Sequence, residues 1–445
     1  MNLTDQREVR PSPVSATTTQ DGEVLARWAW VEWSVWTPRM LTALDTSVKG
    51  NVWFSLIDKV FSERNLSVAG RKVFANGGAP GVDHVTVEAF EERLDENVAK
   101  LSEALRKETY HPQAIRRTYI PKPGSTEQRP LGIPTVRDRV VQAAVRHVIE
   151  PIFEKEFAPH SYGFRPRRGC KDALRRVDQL LKAGEVFVVD ADLKSYFDTI
   201  PHEPLMAQVR ERIADGRVLS LIESFLKAGI LDGLKEWTPE AGAPQGAVLS
   251  PLLSNIYLNP LDHLMAQQGI EMVRYADDFV ILCRTYEAAE QALALVQQWT
   301  AANGLTLHPT KTKIVDVRVE GFDFLGYHFF QDRHYVRQKS LKKFKDAIRL
   351  KTKRNNGTCL TAIIAAINPT LRGWFGYFKH AYRLTFPTLD GWVRGRLRSI
   401  FRRRSGRRGR GRGLDHHRWP NQFFHQHGLY SLSHAHQLAC QSCPR

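Results

Sequence analysis

Two neighbouring carboxylates, Asp277 and Asp278, sit inside the run VRYADDFVILC at positions 273–283. Val273 precedes them, and Phe279, Val280, Ile281 and Leu282 follow. This pattern predicts two short buried strands, with the acids where the chain reverses. Like charges side by side are costly to bury unless cations compensate them. Turns also favour aspartate for their own reasons, so the pair alone leaves a solvated hairpin tip open. A second acidic strand end shifts the balance. In VFVVDADLKSYFD at 186–198, side-chain alternation puts Asp190 and Asp192 on one face and Ala191 on the other. Carboxylates from separate segments that converge on one point suit Mg²⁺, which takes oxygen ligands and keeps substrate phosphates as further ones. Two such ions stabilise the attacking and leaving oxygens of an in-line phosphoryl transfer. On that chemistry Asp192, Asp277 and Asp278 are the candidate catalytic and metal-binding set.

Other elements must bring substrate to such a site. The segments RRTYIPKPG at 116–124 and RPLGIP at 129–134 predict two extended strands joined by a tip loop, with proline restricting both ends. Lys122 and Arg129 fall on or near that tip, where cations can grip a triphosphate or simply be solvated. The stretch APQGAVLSPLLSN at 243–255 is a turn entering a helix that runs to about residue 265. Its start offers free N–H groups, Gly246 permits close backbone approach, and Gln245 can contact a nucleotide. Helices are predicted over 87–108, 138–157 and 170–183 from their apolar spacing. Between the last two lies the basic, aromatic loop HSYGFRPRRG at 160–169, of a make that can follow a nucleic-acid backbone.

Bulk properties set the partner class. The chain has 445 residues, room for several domains, and 64 Lys and Arg against 47 Asp and Glu give a net charge of +17. That excess points to a polyanion, nucleic acid first. Five cysteines at uneven spacing give no disulfide framework. No signal peptide is visible, and no apolar run approaches the ~20 residues of a membrane span, so the expected setting is reducing and cytoplasmic, with no membrane. Residues 1–22, rich in Thr, Ser, Pro and Gln, read as disordered. The tryptophan-dense segment after them has Trp33, Trp36, Leu41 and Leu44 at near-helical spacing, a core pattern, with base stacking as the other use. A basic helix is expected at 339–354, followed by aromatic helical segments at 371–378 and 392–397. Residues 401–413 carry seven arginines spaced by Gly and Ser, a block that rarely folds alone and often binds nucleic acid. His434, His436, Cys440 and Cys443 crowd into ten residues, too tight for an ordinary structural zinc module.

Eight blocks carry a resemblance: GGAPGVDHVT, YIPKPGSTEQRPLGIPTVRDRVVQ, SYGFRPRRG, VVDADLKSYFDTIPH, APQGAVLSPLLSNIYL, VRYADD, GLTLHPTKTKIV and FDFLGYHF. In that order they resemble a bacterial group II intron-encoded protein, a reverse transcriptase with maturase activity. The resemblance implies an α+β right-hand polymerase with fingers and palm at 75–332. A helical N-terminal extension at 23–74 precedes it. A helical thumb or maturase domain X at 333–400 and a basic DNA-binding tail at 401–445 follow, with no endonuclease domain.

Residue by residue, the resemblance puts Asp192, Asp277 and Asp278 on the palm aspartates that hold two Mg²⁺ ions. Lys122 and Arg129 fall on the cations for the dNTP triphosphate. Phe197 falls on the aromatic gate that leaves no room for a 2′-OH. Gln245 falls on the glutamine of the nucleotide-pocket loop, and Lys311 on the lysine after the palm hairpin. Asp190 and Asp198 receive no catalytic role and read as structural or solvated. The implied partners are group II intron RNA, an RNA template with a DNA primer, dNTPs and target DNA, near the nucleoid. The implied activity is RNA-templated DNA synthesis coupled to splicing and retrohoming. A splicing-only RNA binder would have no need of three converging acids, and a defence-type enzyme without an intron would not need the 77–83 block.

Overall fold

A computed structural model describes residues 17–121, 128–355 and 357–441. The run around the acid pair forms the two strands its apolar pattern predicts. These are β6 (Glu271–Tyr275) and β7 (Asp278–Cys283), with Ala276 and Asp277 as the turn between them. β7 pairs antiparallel with β3 (Phe187–Asp192), and β3 with β8 (Lys313–Asp316), giving the order β6-β7-β3-β8. Both faces of this sheet are covered, which is why β7 reads as a continuous apolar run and not as an alternation. One face sends Val188, Val273, Val280 and Leu282 into a core shared with helices Cys170–Lys182, Leu360–Phe378 and Thr385–Arg404. The other sends Val189, Ala191, Met272, Phe279 and Ile281 into a core with helices Glu63–Asn76, Val136–Glu154 and Ser250–Gln267.

The expected hairpin is present as β1 (Ile115–Pro121) and β2 (Gln128–Ile133). β1 also runs parallel to β4 (Ile230–Asp232), which pairs with β5 (Lys235–Trp237). A third sheet, β9 (Phe322–Phe324), β10 (Tyr327–Phe330) and β11 (Arg333–Val336), stands between the acid-bearing sheet and the C-terminal helices. The mixed α+β expectation therefore holds. Among the described residues no helix is long and apolar enough to cross a membrane.

Four expectations need correction. The helix at 87–108 is broken into Val87–Glu91 and Leu94–Arg106, and the Asn97 side chain donates to the Phe90 carbonyl at 3.0 Å across the break. Local apolar periodicity cannot see such a side-chain capture. A helix, Thr17–Arg27, begins inside the stretch read as disordered. The boundary drawn at 400 falls within helix Thr385–Arg404. Beyond the arginine block the chain folds back: Trp419, Phe424 and Leu432 are buried in the second core. The Asp390 carboxylate accepts from Ser431 Oγ and the Leu432 and Ser433 amides, which anchors the start of helix Leu432–Gln441. Residues 401–441 are thus in large part an extension of the helical domain. Cys443 of the histidine–cysteine crowd lies outside the described residues.

Candidate active site

The pairing of β3 with β7 sets Asp192 directly opposite Asp278, and Asp190 opposite both Val280 and Lys313. Directly opposed residues point to the same side of a sheet. Asp190, Asp192 and Asp278 accordingly line one cavity of ≈ 1030 Å³, which Lys311, Lys313, His328 and Arg337 also border. Asp277 sits in the turn before β7, near enough to Asp192 and Arg129 to feel both charges. Asp192 and Asp278 share this cavity although 86 positions part them along the chain (278 less 192), and Asp277 lies beside it within charge reach of Asp192.

Their electrostatics are those of acids short of cations. Burial, and then the neighbouring Asp190, Asp277 and Asp192, push the Asp278 carboxyl up to about 7. Burial likewise pushes Asp190 up to about 6, with Lys313 pulling back and Asp323 and Asp192 adding to the rise. Asp277 is raised by burial, and Arg129 and Arg274 oppose the rise. Among the described residues, the one direct ion pair on the predicted acids joins Lys311 Nζ to Asp192 Oδ2 at 2.6 Å. Hard carboxylate oxygens that crowd one another fit a divalent cation such as Mg²⁺ by donor type. Among the described residues, however, no three His, Cys, Asp or Glu side chains form a ready-made metal cage. Ligand oxygens from outside the protein would have to complete any coordination sphere here, as Mg²⁺ ordinarily requires.

Among the residues expected to meet a nucleotide, Arg129 Nε, on β2, donates to Gln245 Oε1 at 2.7 Å. The loop before helix Ser250–Gln267 is clamped to β2, with the Gly132 amide donating to the Gln245 carbonyl at 2.6 Å. Gly246 makes this contact possible: its φ is +107°, and a Cβ there would stand 2.5 Å from the Gly132 carbonyl oxygen. Phe197 is 6% exposed and meets Tyr196 and Phe164 edge-on, at 5.5 and 6.4 Å between centroids. Phe197, Gln245 and Arg117 share a second cavity of ≈ 490 Å³. Lys122 lies outside the described residues.

Asp190 differs from its sequence reading, whereas Asp198 is exposed, in keeping with a solvated acid. Asp190 belongs to the acid cluster and is not a bystander. Asp198 lines the second cavity, its carboxyl raised by burial with Arg117 and Arg129 opposing. The sequence did carry a signal for Asp190, since it shares a strand face with Asp192 two residues on. Sequence reasoning also missed Arg274 and Asp262, a fully buried guanidinium and its nearly buried carboxylate partner. Their signal was a charged residue at an inward strand position, paired with Phe279 across the ladder. The basic loop at 160–169 is held in part from below: Arg165 donates to the Ala158 and Ser161 carbonyls at 2.6 and 2.8 Å and pairs with Glu154.

Comparison with known proteins identifies the family. Residues 120–329 match the family described as reverse transcriptase (RNA-dependent DNA polymerase). Residues 341–419 match the group II intron, maturase-specific domain. Protein YkfC of Escherichia coli (strain K12) is 37% identical over 310 residues, covering 60% of this chain and 81% of that protein. Group II intron-encoded protein LtrA of Lactococcus lactis subsp. cremoris is 41% identical over 209 residues. That match covers 46% of this chain and 34% of LtrA, so the chain spans about a third of the longer relative. Among solved structures, telomerase from Candida albicans, in complex with a fragment of telomeric RNA, aligns with a TM-score of 0.41 at 14% identity. That alignment covers 72% of this chain and 64% of the telomerase chain.

Proposed function

From the premise that this chain belongs to the group II intron reverse transcriptases with a maturase domain, we propose that it copies RNA into DNA at the Asp192–Asp277–Asp278 cluster. We further propose that its C-terminal helices bind the intron RNA to assist splicing and retrohoming. The observation that carries the reading is the register of β3 on β7, which sets Asp192 opposite Asp278 beside the Asp277 turn. A primer 3′-OH attacks the α-phosphate of a dNTP, and pyrophosphate leaves. Asp192, Asp277 and Asp278 are the residues to hold Mg²⁺, which when bound would neutralise the charge developing on the transferred phosphoryl group.

The remaining groups orient the substrate. Arg129 and Lys122 take the triphosphate, and Gln245, held by Arg129, lies along the nucleotide. Phe197 closes the space a 2′-hydroxyl would need. Lys311, ion-paired with Asp192, supplies a positive charge at the cluster for an incoming phosphate. Helix Gln338–Lys351, with exposed Lys342, Lys343 and Arg349, lies within the maturase half, where phosphate contacts give affinity without reading sequence.

Asp277→Ala tests the reading. Primer extension on an RNA template should fall below detection while RNA affinity stays within about twofold, since removing one buried like charge does not disturb a distant basic surface. Extension retained by this variant rejects the site.

A further inference from the structure

We propose that Arg274 is a positioning residue: its guanidinium holds the turn that aims Asp277 and Asp278. This inference rests on the polymerase reading of that turn. Ala276, between Tyr275 and Asp277, has φ +61°, a left-handed conformation that an alanine adopts only when its surroundings impose it. The surroundings can be named. Arg274 Nη1 donates to the Ala276 carbonyl at 2.9 Å and to Asn255 Oδ1 at 2.9 Å. The other edge of the guanidinium grips Asp262, with Nε to Oδ1 at 2.7 Å and Nη2 on Oδ2. Asn255 passes the restraint on, because its Nδ2 donates to the Gly163 carbonyl at 2.8 Å. Gly163 lies flat against the turn, where a Cβ would stand 2.2 Å from the Ala276 nitrogen. The backbone of Arg274 is fixed as well: its amide donates to the His160 carbonyl and its carbonyl accepts from the Tyr162 amide, at 3.0 and 2.9 Å.

The fork thus ties its own turn to helix Ser250–Gln267 and, through Asn255, to the loop around Gly163, and it ends on the carbonyl that immediately precedes Asp277. Arg274 is fully buried, and Asp262 nearly so. A buried ion pair is weak evidence for stability, because an apolar pair of similar volume often serves as well. Direction is what an apolar pair cannot supply: a methionine cannot donate to the Ala276 carbonyl. The planar fork also explains the choice of arginine, since a lysine ammonium has no rigid spread to meet Asp262, Asn255 and Ala276 together.

Two variants test this, Arg274→Lys and the double variant Arg274→Met with Asp262→Leu. Each is measured for melting temperature, RNA affinity, primer extension at saturating dNTP, and the Mg²⁺ concentration at the midpoint of the Mg²⁺-induced thermal shift. We expect melting within a few degrees of the unsubstituted protein and equal RNA affinity. Extension should be slower by about ten- to a hundredfold, the cost of an ångström-scale misplacement, and the Mg²⁺ midpoint should move up several-fold. A folded variant with the unsubstituted rate and Mg²⁺ midpoint overturns the inference. Unfolding of both variants overturns it too, by making Arg274 a strut of the core with no separate hold on the turn. Should the unsubstituted protein extend no primer, the polymerase reading fails instead, and the Mg²⁺ midpoints alone decide this one.

Discussion

The acid turn and the arginine block at 401–413 are both dense in one sign of charge, and the protein treats them in opposite ways. At the turn, Asp278 and Asp190 are buried enough to be pushed up to about 7 and about 6, and a buried arginine network fixes the backbone beside them. In the block, Arg403, Arg407, Arg408 and Arg410 are exposed, and Gly406, Gly409 and Gly413 with positive φ interrupt the chain. A charge that must meet one atom at one point gains from low dielectric and a rigid frame, and carries a desolvation cost for it. A charge that need only meet some phosphate along a backbone is better left in water, where it exchanges counterions. The first kind of region should fail sharply on single substitutions and the second only by degrees.

After Asp277→Ala, the next sharp break is expected at Phe197. Its ring is locked between Tyr196 and Phe164 next to the acids, so shortening it to valine opens space where one hydroxyl can enter. Discrimination against an added hydroxyl by shape alone is of the order of ten- to a hundredfold. Phe197→Val should give up about that much dNTP-over-NTP selectivity in single-nucleotide extension, with dNTP turnover changed far less. Selectivity equal to that of the unsubstituted protein would assign Phe197 to the core alone.

The block should respond gradually. Replacing Arg403, Arg407, Arg408 and Arg410 together by glutamine should lower the slope of log affinity against log salt by up to about 3, at roughly 0.7–0.9 per lost phosphate contact. Extension of a short pre-annealed primer–template at low salt should stay within about twofold. A fall in extension as deep as that of Asp277→Ala would erase the contrast between the regions. Point substitution is the right tool, because deleting the chain from 401 onward would also strip Trp419, Phe424 and Leu432 from the second core, where Trp419 stacks on Phe401 at 5.2 Å.

That last detail marks the limit of what could be read from residues alone. The strands carrying Asp192 and Asp278 were legible because strand alternation is local and the acids interrupt an apolar run. The adjacency of Arg129, Gln245 and Phe197 came through their resemblance to a known family, since nothing in their spacing joins residues of three separate segments. The pairing of Arg274 with Asp262 was not legible: a helix face and a strand choose each other only in three dimensions. Nor was the fold-back after the arginines, where charge density hid a sparse set of apolar anchors, Trp419, Phe424 and Leu432. Asp190 shows a subtler loss. Its strand face was predicted correctly, but whether that face met solvent or the acid cluster depended on how β8 and the β9–β11 sheet closed over it.

A buried titratable group outside both regions supplies the mildest test of what burial alone does. His147, in helix Val136–Glu154, is 9% exposed, and burial with the nearby Lys72 charge lowers its imidazole to about 4. Its contacts require the neutral ring: Nδ1 donates to Asn65 Oδ1 at 2.8 Å, while Nε2 accepts a hydrogen bond from Lys72 Nζ at 3.0 Å. In the unfolded chain the group returns to about 6.5. Between those two values the unfolded state binds a proton that the folded state refuses, so stability falls as pH drops from about 6.5 toward 4 and levels off below. The loss is on the order of 2–3 kcal/mol at most. His147→Gln should melt somewhat lower at pH 8 and show a shallower decline from pH 7 to 5. Its extension rate at pH 8 should be unchanged, because no part of the acid turn touches it. An equally steep decline in the variant would move the acid sensitivity to other groups and leave the folded-state imidazole free to charge.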